Sequence, residues 1–185
     1  MNINNIEKFL INFNDQMKET LKSLDINDAL KIIEVFKNIK ENNGKIMIAG
    51  NGGSAAMASH VAVDLTKAAA VRSTTFNESD LITCFGNDFG YENWISKAIE
   101  YYYYENDAVI LISSSGQSPN IINAAKKSIE LGLPVITLSG FSEQNSLKKI
   151  GNINLWVDSQ SYNIVEMTHH TWLVSLIDAL IEEEK

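Results

Sequence analysis

The sequence predicts an α/β fold, a three-layer sandwich with a parallel sheet between helices and two further helices at the N-terminus. Three observations predict it. Short apolar runs such as Ile46–Ala49 and Val109–Ile112 alternate with longer segments whose apolar residues recur every three or four positions. That is the pattern of strands buried on both faces and joined by crossover helices. Two of the runs end in Gly/Ser-rich loops that lead straight into helical segments. No linker, composition break or internal repeat divides the 185 residues, so one domain over 1–185 is expected, with a helical pair at 1–43 and an α/β core at 44–185.

The elements follow in order. Ile6, Phe9, Leu10, Phe13, Met17, Leu21 and Leu24 form one apolar helical stripe. Asp25 or Asn27 can cap a second helix, with Leu30, Ile33, Phe36 and Ile39 (or Ile32 and Val35) inward and Asn42-Asn43-Gly44 as its stop. Lys45–Ala49 reads as a strand, followed by a helix from Ser54 to about Ala70. Arg72–Phe76 is a β-branched strand candidate, Leu81–Phe85 is ambiguous, and Tyr91–Tyr104 has a helical pattern that ends in four tyrosines. Ala108–Ile112 is a strand, and a helix runs from Pro119 to Leu131 with Gly132 at its stop. Val135–Leu138 is a strand, Phe141–Ile150 a short helix, and Ile153–Val157 a strand. A long helix from about Tyr162 to Glu183 turns Val165, Trp172, Leu173, Leu176, Ile177 and Leu180 inward.

Charge and composition exclude whole classes of function. Fifteen basic against twenty-three acidic residues give a net charge of −8, which argues against a general grip on nucleic acid or an anionic membrane. The single Cys84 cannot form an intramolecular disulfide or a multi-cysteine zinc site. The first 24 residues are amphipathic and no apolar run is long enough to span a bilayer. A soluble, cytoplasmic protein is expected.

The chemistry concentrates in two loops, Gly50-Asn51-Gly52-Gly53-Ser54 and Ser113-Ser114-Ser115-Gly116-Gln117-Ser118-Pro119. Glycine permits a sharp turn and close approach of the backbone to a ligand. The helix that follows offers free N–H groups and a positive dipole end to an anion. Ser54 and Ser118 are candidate N-caps, Pro119 fits the first helical position, and the hydroxyls at 113, 114, 115 and 118 can encircle a phosphate. The first loop is neither a G-x-G-x-x-G fingerprint nor a Walker loop, so a small phosphorylated molecule fits these loops better than a nucleotide cofactor. His60 and Asp64 share a helix face four residues apart, as a site pair or as a pair between helices. Glu166 shares a face with His169 or His170, and such His/carboxylate sets can bind a divalent metal. Gly86–Gly90 reads as a polar turn whose Asn87 and Asp88 are caps or ligand contacts.

Gly50-Asn51-Gly52-Gly53-Ser54-Ala55-Ala56 with His60, then Gly86-Asn87-Asp88-Phe89-Gly90-Tyr91, then Ile112 through Asn120, resemble the sugar isomerase (SIS) domain. Within it, the chain looks most like the phosphoheptose isomerases over essentially its whole length. The resemblance implies a five-stranded parallel sheet and a homotetramer with sites between subunits. It also implies isomerisation of sedoheptulose 7-phosphate to D-glycero-D-manno-heptose 7-phosphate. Ser54, Ser113, Ser114, Ser115 and Ser118 would hold the phosphate together with Gly52 and Gly53, with Asn51 and Asp88 near the sugar. Asp64 matches the position of the family's glutamate base and His60 a histidine that can ligate zinc, which makes His60 and Asp64 metal candidates. The family's later Gln and His, eight residues apart, are absent: gap-free alignment from the chain end puts Met167 and Ser175 there, and a shifted register brings in Glu166 and one histidine. For enediol chemistry the base is then Asp64 or Glu166 and the acid His169 or His170. Alternatives are another sugar phosphate as substrate, or a non-catalytic SIS protein that binds a phosphosugar or a protein partner of the replication-initiator type.

Overall fold

In the computed structural model, which describes residues 3–183 and Lys185, five parallel strands form one sheet of order β2-β1-β3-β4-β5. The elements are α1 (Ile3–Lys22), α2 (Ile26–Glu41), β1 (Ile46–Gly50), α3 (Gly53–Lys67), β2 (Ser73–Thr75) and α4 (Ser79–Phe89). They continue as α5 (Trp94–Tyr102), β3 (Ala108–Ser113), α6 (Pro119–Glu130), β4 (Val135–Gly140), β5 (Ile153–Val157) and α7 (Tyr162–Glu183).

Every residue of β1, β3 and β4 is buried, because both faces of the sheet are covered. Side chains alternate across a strand. Ile46, Ile48, Ile110, Ile112, Ile136 and Leu138 therefore pack against α2, α3 and α7. Met47, Ala49, Val109, Leu111 and Val135 face α5 and α6 on the other side. The chain runs outward from β1 to β2 and then returns to place β3 on β1's other flank. That reversal makes the crevice between the ends of β1 and β3 the place where such a sheet binds ligands. Gly50 pairs in register with Ile112 there, so the two Gly/Ser loops leave the sheet side by side.

The structure decides between open alternatives at some points and overturns local expectations at others. Asp25 caps α2, accepting from the amides of Asn27 and Asp28 at 2.8 and 3.2 Å, and Leu30 faces outward while Ile32 takes the inner face. The segment Gly86–Phe89 is the last turn of α4 and not a free turn. Phe85 and Phe89 stack edge-on, and both meet Tyr101, which offsets the helix-breaking tendency of Gly86. Residues 141–150 form successive turns instead of a helix. Phe141 holds a positive φ of 58°, and the buried Asn145 amide ties the segment together by donating to Ser142 O at 2.8 Å and accepting from Lys148 N at 2.8 Å. The stripe on α1 is mostly uncovered: no residue of α1 is buried, and Phe9 and Leu10 are 64% and 55% exposed. Its C-terminal end docks on α7 through Thr20–Thr168 at 2.8 Å and through Trp172, whose Nε1 donates to Leu21 O at 3.1 Å.

Candidate active site

The β1–α3 loop is shaped by glycine at two points. Gly52 sits at φ +56°, and a Cβ on Gly50 would stand 2.6 Å from Ser54 Cβ and 2.7 Å from its backbone carbon. The cap position of α3 is thus Gly52, with no side-chain cap bond, and Ser54 lies inside the first turn, buried and facing the neighbouring loop. The β3–α6 loop turns at Gly116, φ +65°. Ser113 Oγ donates to Ser118 Oγ at 3.1 Å, so Ser118 spends its hydroxyl in the loop and leaves the N-terminus of α6 without a side-chain cap.

Between the loops lies a cavity of about 100 Å3, walled by Asn51, Ser54, Ser113, Ser114, Ser115 and Ser118 and closed by Tyr162 and Glu166. That volume suits one phosphate group and leaves a sugar outside. No Lys or Arg lines it. Hydroxyls and the positive ends of α3 and α6 are the local attraction for an anion. Gly53 begins α3, and a Cβ there would run into the Glu166 carboxylate. Gly52 has open space beside it.

Helix α7 sorts the C-terminal candidates by face. Glu166 reaches the serine loop, accepting from Ser114 Oγ at 3.4 Å. One turn later His170 meets α3: its Nε2 is 2.7 Å from His60 Nδ1, and the rings stack edge-on. His60 Nε2 lies 3.2 Å from Asp64 Oδ2, so Asp64, His60 and His170 form a chain. Burial first, and the neighbouring His60 second, push the His170 pKa down, which favours a neutral imidazole able to accept a proton.

His169 does not join them. It points into the protein, fully buried, with Nε2 against Ser139 O at 3.0 Å and Nδ1 buried without a partner. Burial pushes its pKa down to about 4. A neutral ring facing the sheet cannot serve as the acid foreseen for it. Asp88 also lies outside the cavity, at the end of α4, where its carboxylate meets Asn87 Nδ2 at 2.9 Å and Cys84 Sγ at 3.7 Å.

The bonds that hold the loops together are not legible in the sequence, although Asn51, Tyr91 and Asn120 lie in its motifs. Asn120 and Asn51 exchange reciprocal amide bonds at 2.8 and 3.0 Å, and Tyr91 Oη donates to Asn51 Oδ1 at 3.2 Å. Asn145 packs under Gly116 and donates to Ser139 Oγ at 3.1 Å. Ser118-Pro119-Asn120 pointed to a cap, not to an amide pair.

The arrangement of His60 and Asp64 does not fit zinc. Two nitrogens sharing a tetrahedral zinc at about 2.0–2.1 Å stand roughly 3.3 Å apart. At 2.7 Å, the rings of His60 and His170 hydrogen-bond to each other instead, and the other His60 nitrogen is turned to Asp64. Among the described residues no group of three or more His, Cys, Asp or Glu is arranged to hold a metal ion.

Comparison with known proteins shows the family and the fold. The SIS domain family matches residues 12–140. A Campylobacter jejuni protein named phosphoheptose isomerase 1 is 37% identical over 91% of this chain and 90% of its own. A Helicobacter pylori (strain Shi470) phosphoheptose isomerase is 32% identical over 95% and 93%. The solved structure of a phosphoheptose isomerase from Francisella tularensis superposes with a TM-score of 0.87 over 99% of both chains, at 24% identity, a likeness of fold. With two glycine-serine loops at the switch point of a five-stranded parallel sheet, the chain belongs to the SIS domain family.

Proposed function

We propose that the chain is a phosphoheptose isomerase, an aldose–ketose isomerase converting sedoheptulose 7-phosphate to D-glycero-D-manno-heptose 7-phosphate in heptose biosynthesis. One observation carries the reading: a serine-walled, phosphate-sized cavity has a carboxylate, Glu166, in its wall. Relatives that bear the isomerase name along nearly their whole length support it.

In this reading the serines and loop amides hold the phosphate, and the sugar chain folds back so that its C1 and C2 lie beside Glu166 and His170. Binding the distant phosphate fixes the reacting carbons against the catalytic groups. Glu166 removes the proton beside the carbonyl and returns it to the adjacent carbon, through an enediol. His170, held by His60 and Asp64, moves the proton between the two oxygens. No step passes through a metal. The enzyme works in the cytoplasm as a homotetramer, and the exposed Phe9 and Leu10 of α1 supply apolar surface for contact between copies.

Incubation with sedoheptulose 7-phosphate, followed by NMR, tests this. Appearance of the aldose 7-phosphate, inhibited by inorganic phosphate, is the expected result. Turnover of a different ketose phosphate alone overturns the heptose assignment, and no turnover of any sugar phosphate supports the binder reading instead.

A further inference from the structure

A second cavity, about 660 Å3, opens at the opposite end of the sheet, where Lys45, Arg72 and Asp107 stand at the amino ends of β1, β2 and β3. It is several times larger than the serine cavity and within the range of small-molecule sites. We propose that it is a nucleotide-binding site separate from the catalytic one, with a base on the tyrosines and one phosphate on Arg72.

Arg72 is the only arginine in the chain, and it lines this cavity. Its Nε donates to Gly44 O at 3.3 Å, and among the described residues it makes no ion pair. The guanidinium is therefore held at one nitrogen while its outer nitrogens are available as a fork for phosphate or carboxylate oxygens. In a protein of net charge −8, an arginine without a carboxylate partner is a local exception that favours an anionic ligand.

The aromatic wall is built, not incidental. Asp107, 2% exposed, is ion-paired with Lys45 Nζ and accepts from Lys45 N at 2.8 Å and Tyr104 N at 2.7 Å. The same ammonium lies 4.7 Å from the centre of the Tyr104 ring. One buried carboxylate thus fixes Lys45 and Tyr104 together, and Lys45 has its counter-charge already. Tyr104 and Tyr102 remain 76% and 49% exposed, offering ring surface to a flat partner. This gives Tyr102 and Tyr104 a use that the catalytic reading leaves open, while Tyr101 packs on Phe85 and Phe89. Glu105 on the lining disfavours extra negative charge, which selects a single phosphate over a triphosphate.

The probes are uridine and adenosine 5′-monophosphates, with uridine, inorganic phosphate and UTP as comparisons, read by saturation-transfer NMR on the full chain. Saturable binding of a monophosphate, at least tenfold tighter than nucleoside, phosphate or UTP, is the expected result. Arg72→Ala then weakens it at least tenfold, Arg72→Lys restores part of it, and Tyr104→Ala weakens it, while isomerase turnover without nucleotide stays unchanged. No saturable binding, or equal binding by Arg72→Ala, overturns the proposal. So does displacement of the monophosphate by a sugar phosphate, which would put it in the serine cavity. A change in assembly mass on Arg72→Ala, with no nucleotide bound by the parent, would make this face a contact between copies and equally overturn it.

Discussion

Gly53→Ala separates the catalytic role of Glu166 from the stability of the fold. The new Cβ would stand 2.9 Å from Glu166 Cδ, 3.2 Å from Oε1 and closer still to Oε2. Ordinary contact begins at 3.4 Å, so the carboxylate must withdraw by about half an ångström at Cδ and more at Oε2, on the order of the ~1 Å misplacement that costs about 100-fold in rate. The fold has no such difficulty. Gly53 has no positive φ, it opens α3, and the obstacle is the flexible end of a side chain. Replacing glycine by alanine in a helix stabilises by up to about 1 kcal/mol. The expected outcome is a kcat lower by roughly 10- to 100-fold with an unchanged or slightly higher urea midpoint. An unchanged kcat in a folded variant would refute the placement of Glu166 at the reacting carbons.

Other consequences are tested separately. Glu166→Gln is expected to lower turnover by about 10²–10⁴-fold, the range of a lost general base, while inorganic phosphate still competes for the cavity. His169 makes stability depend on pH. Its folded pKa of about 4 lies below the ordinary 6.5, so the unfolded chain binds the extra proton first as pH falls. Stability is full above pH 6.5, declines between 6.5 and 4 by up to about 3 kcal/mol, and the decline flattens in His169→Gln, as urea titrations across that range would show. Gly116→Ala forces a side chain into φ +65° and against Asn145, and calorimetry should show a loss of about 1–3 kcal/mol. The His60–His170 spacing predicts substoichiometric zinc by elemental analysis and turnover that survives chelation.

The strands and long helices were legible because both faces of the sheet are covered. All-apolar runs at 46–49 and 108–112 admit few other readings, and the glycine-serine loops mark their carboxyl ends. Adjacent residues on one helix were harder. Sequence spacing could not choose between His169 and His170, which lie about 100° apart around a helix of 3.6 residues per turn. Packing decided it, turning one ring to Ser139 and the other to His60. Asn145 and Asn120 were illegible because their partners lie in other elements or across a turn. At Gly86–Phe89, local turn signals lost to aromatic packing on Tyr101. On α1, the amphipathic stripe does form a helix, but its outer apolar residues are not covered within one chain.

The most direct test of the enediol reading is to run the conversion of sedoheptulose 7-phosphate in D2O and examine C2 of the aldose product by NMR. A proton carried by a side chain exchanges with solvent, so the account predicts deuterium at C2, with the labelling rate falling together with turnover in Glu166→Gln. An aldose product still free of deuterium when turnover is slowed by cooling, so that a carried proton has time to exchange, would mean hydrogen moved directly between carbons and would contradict acid–base catalysis by this carboxylate.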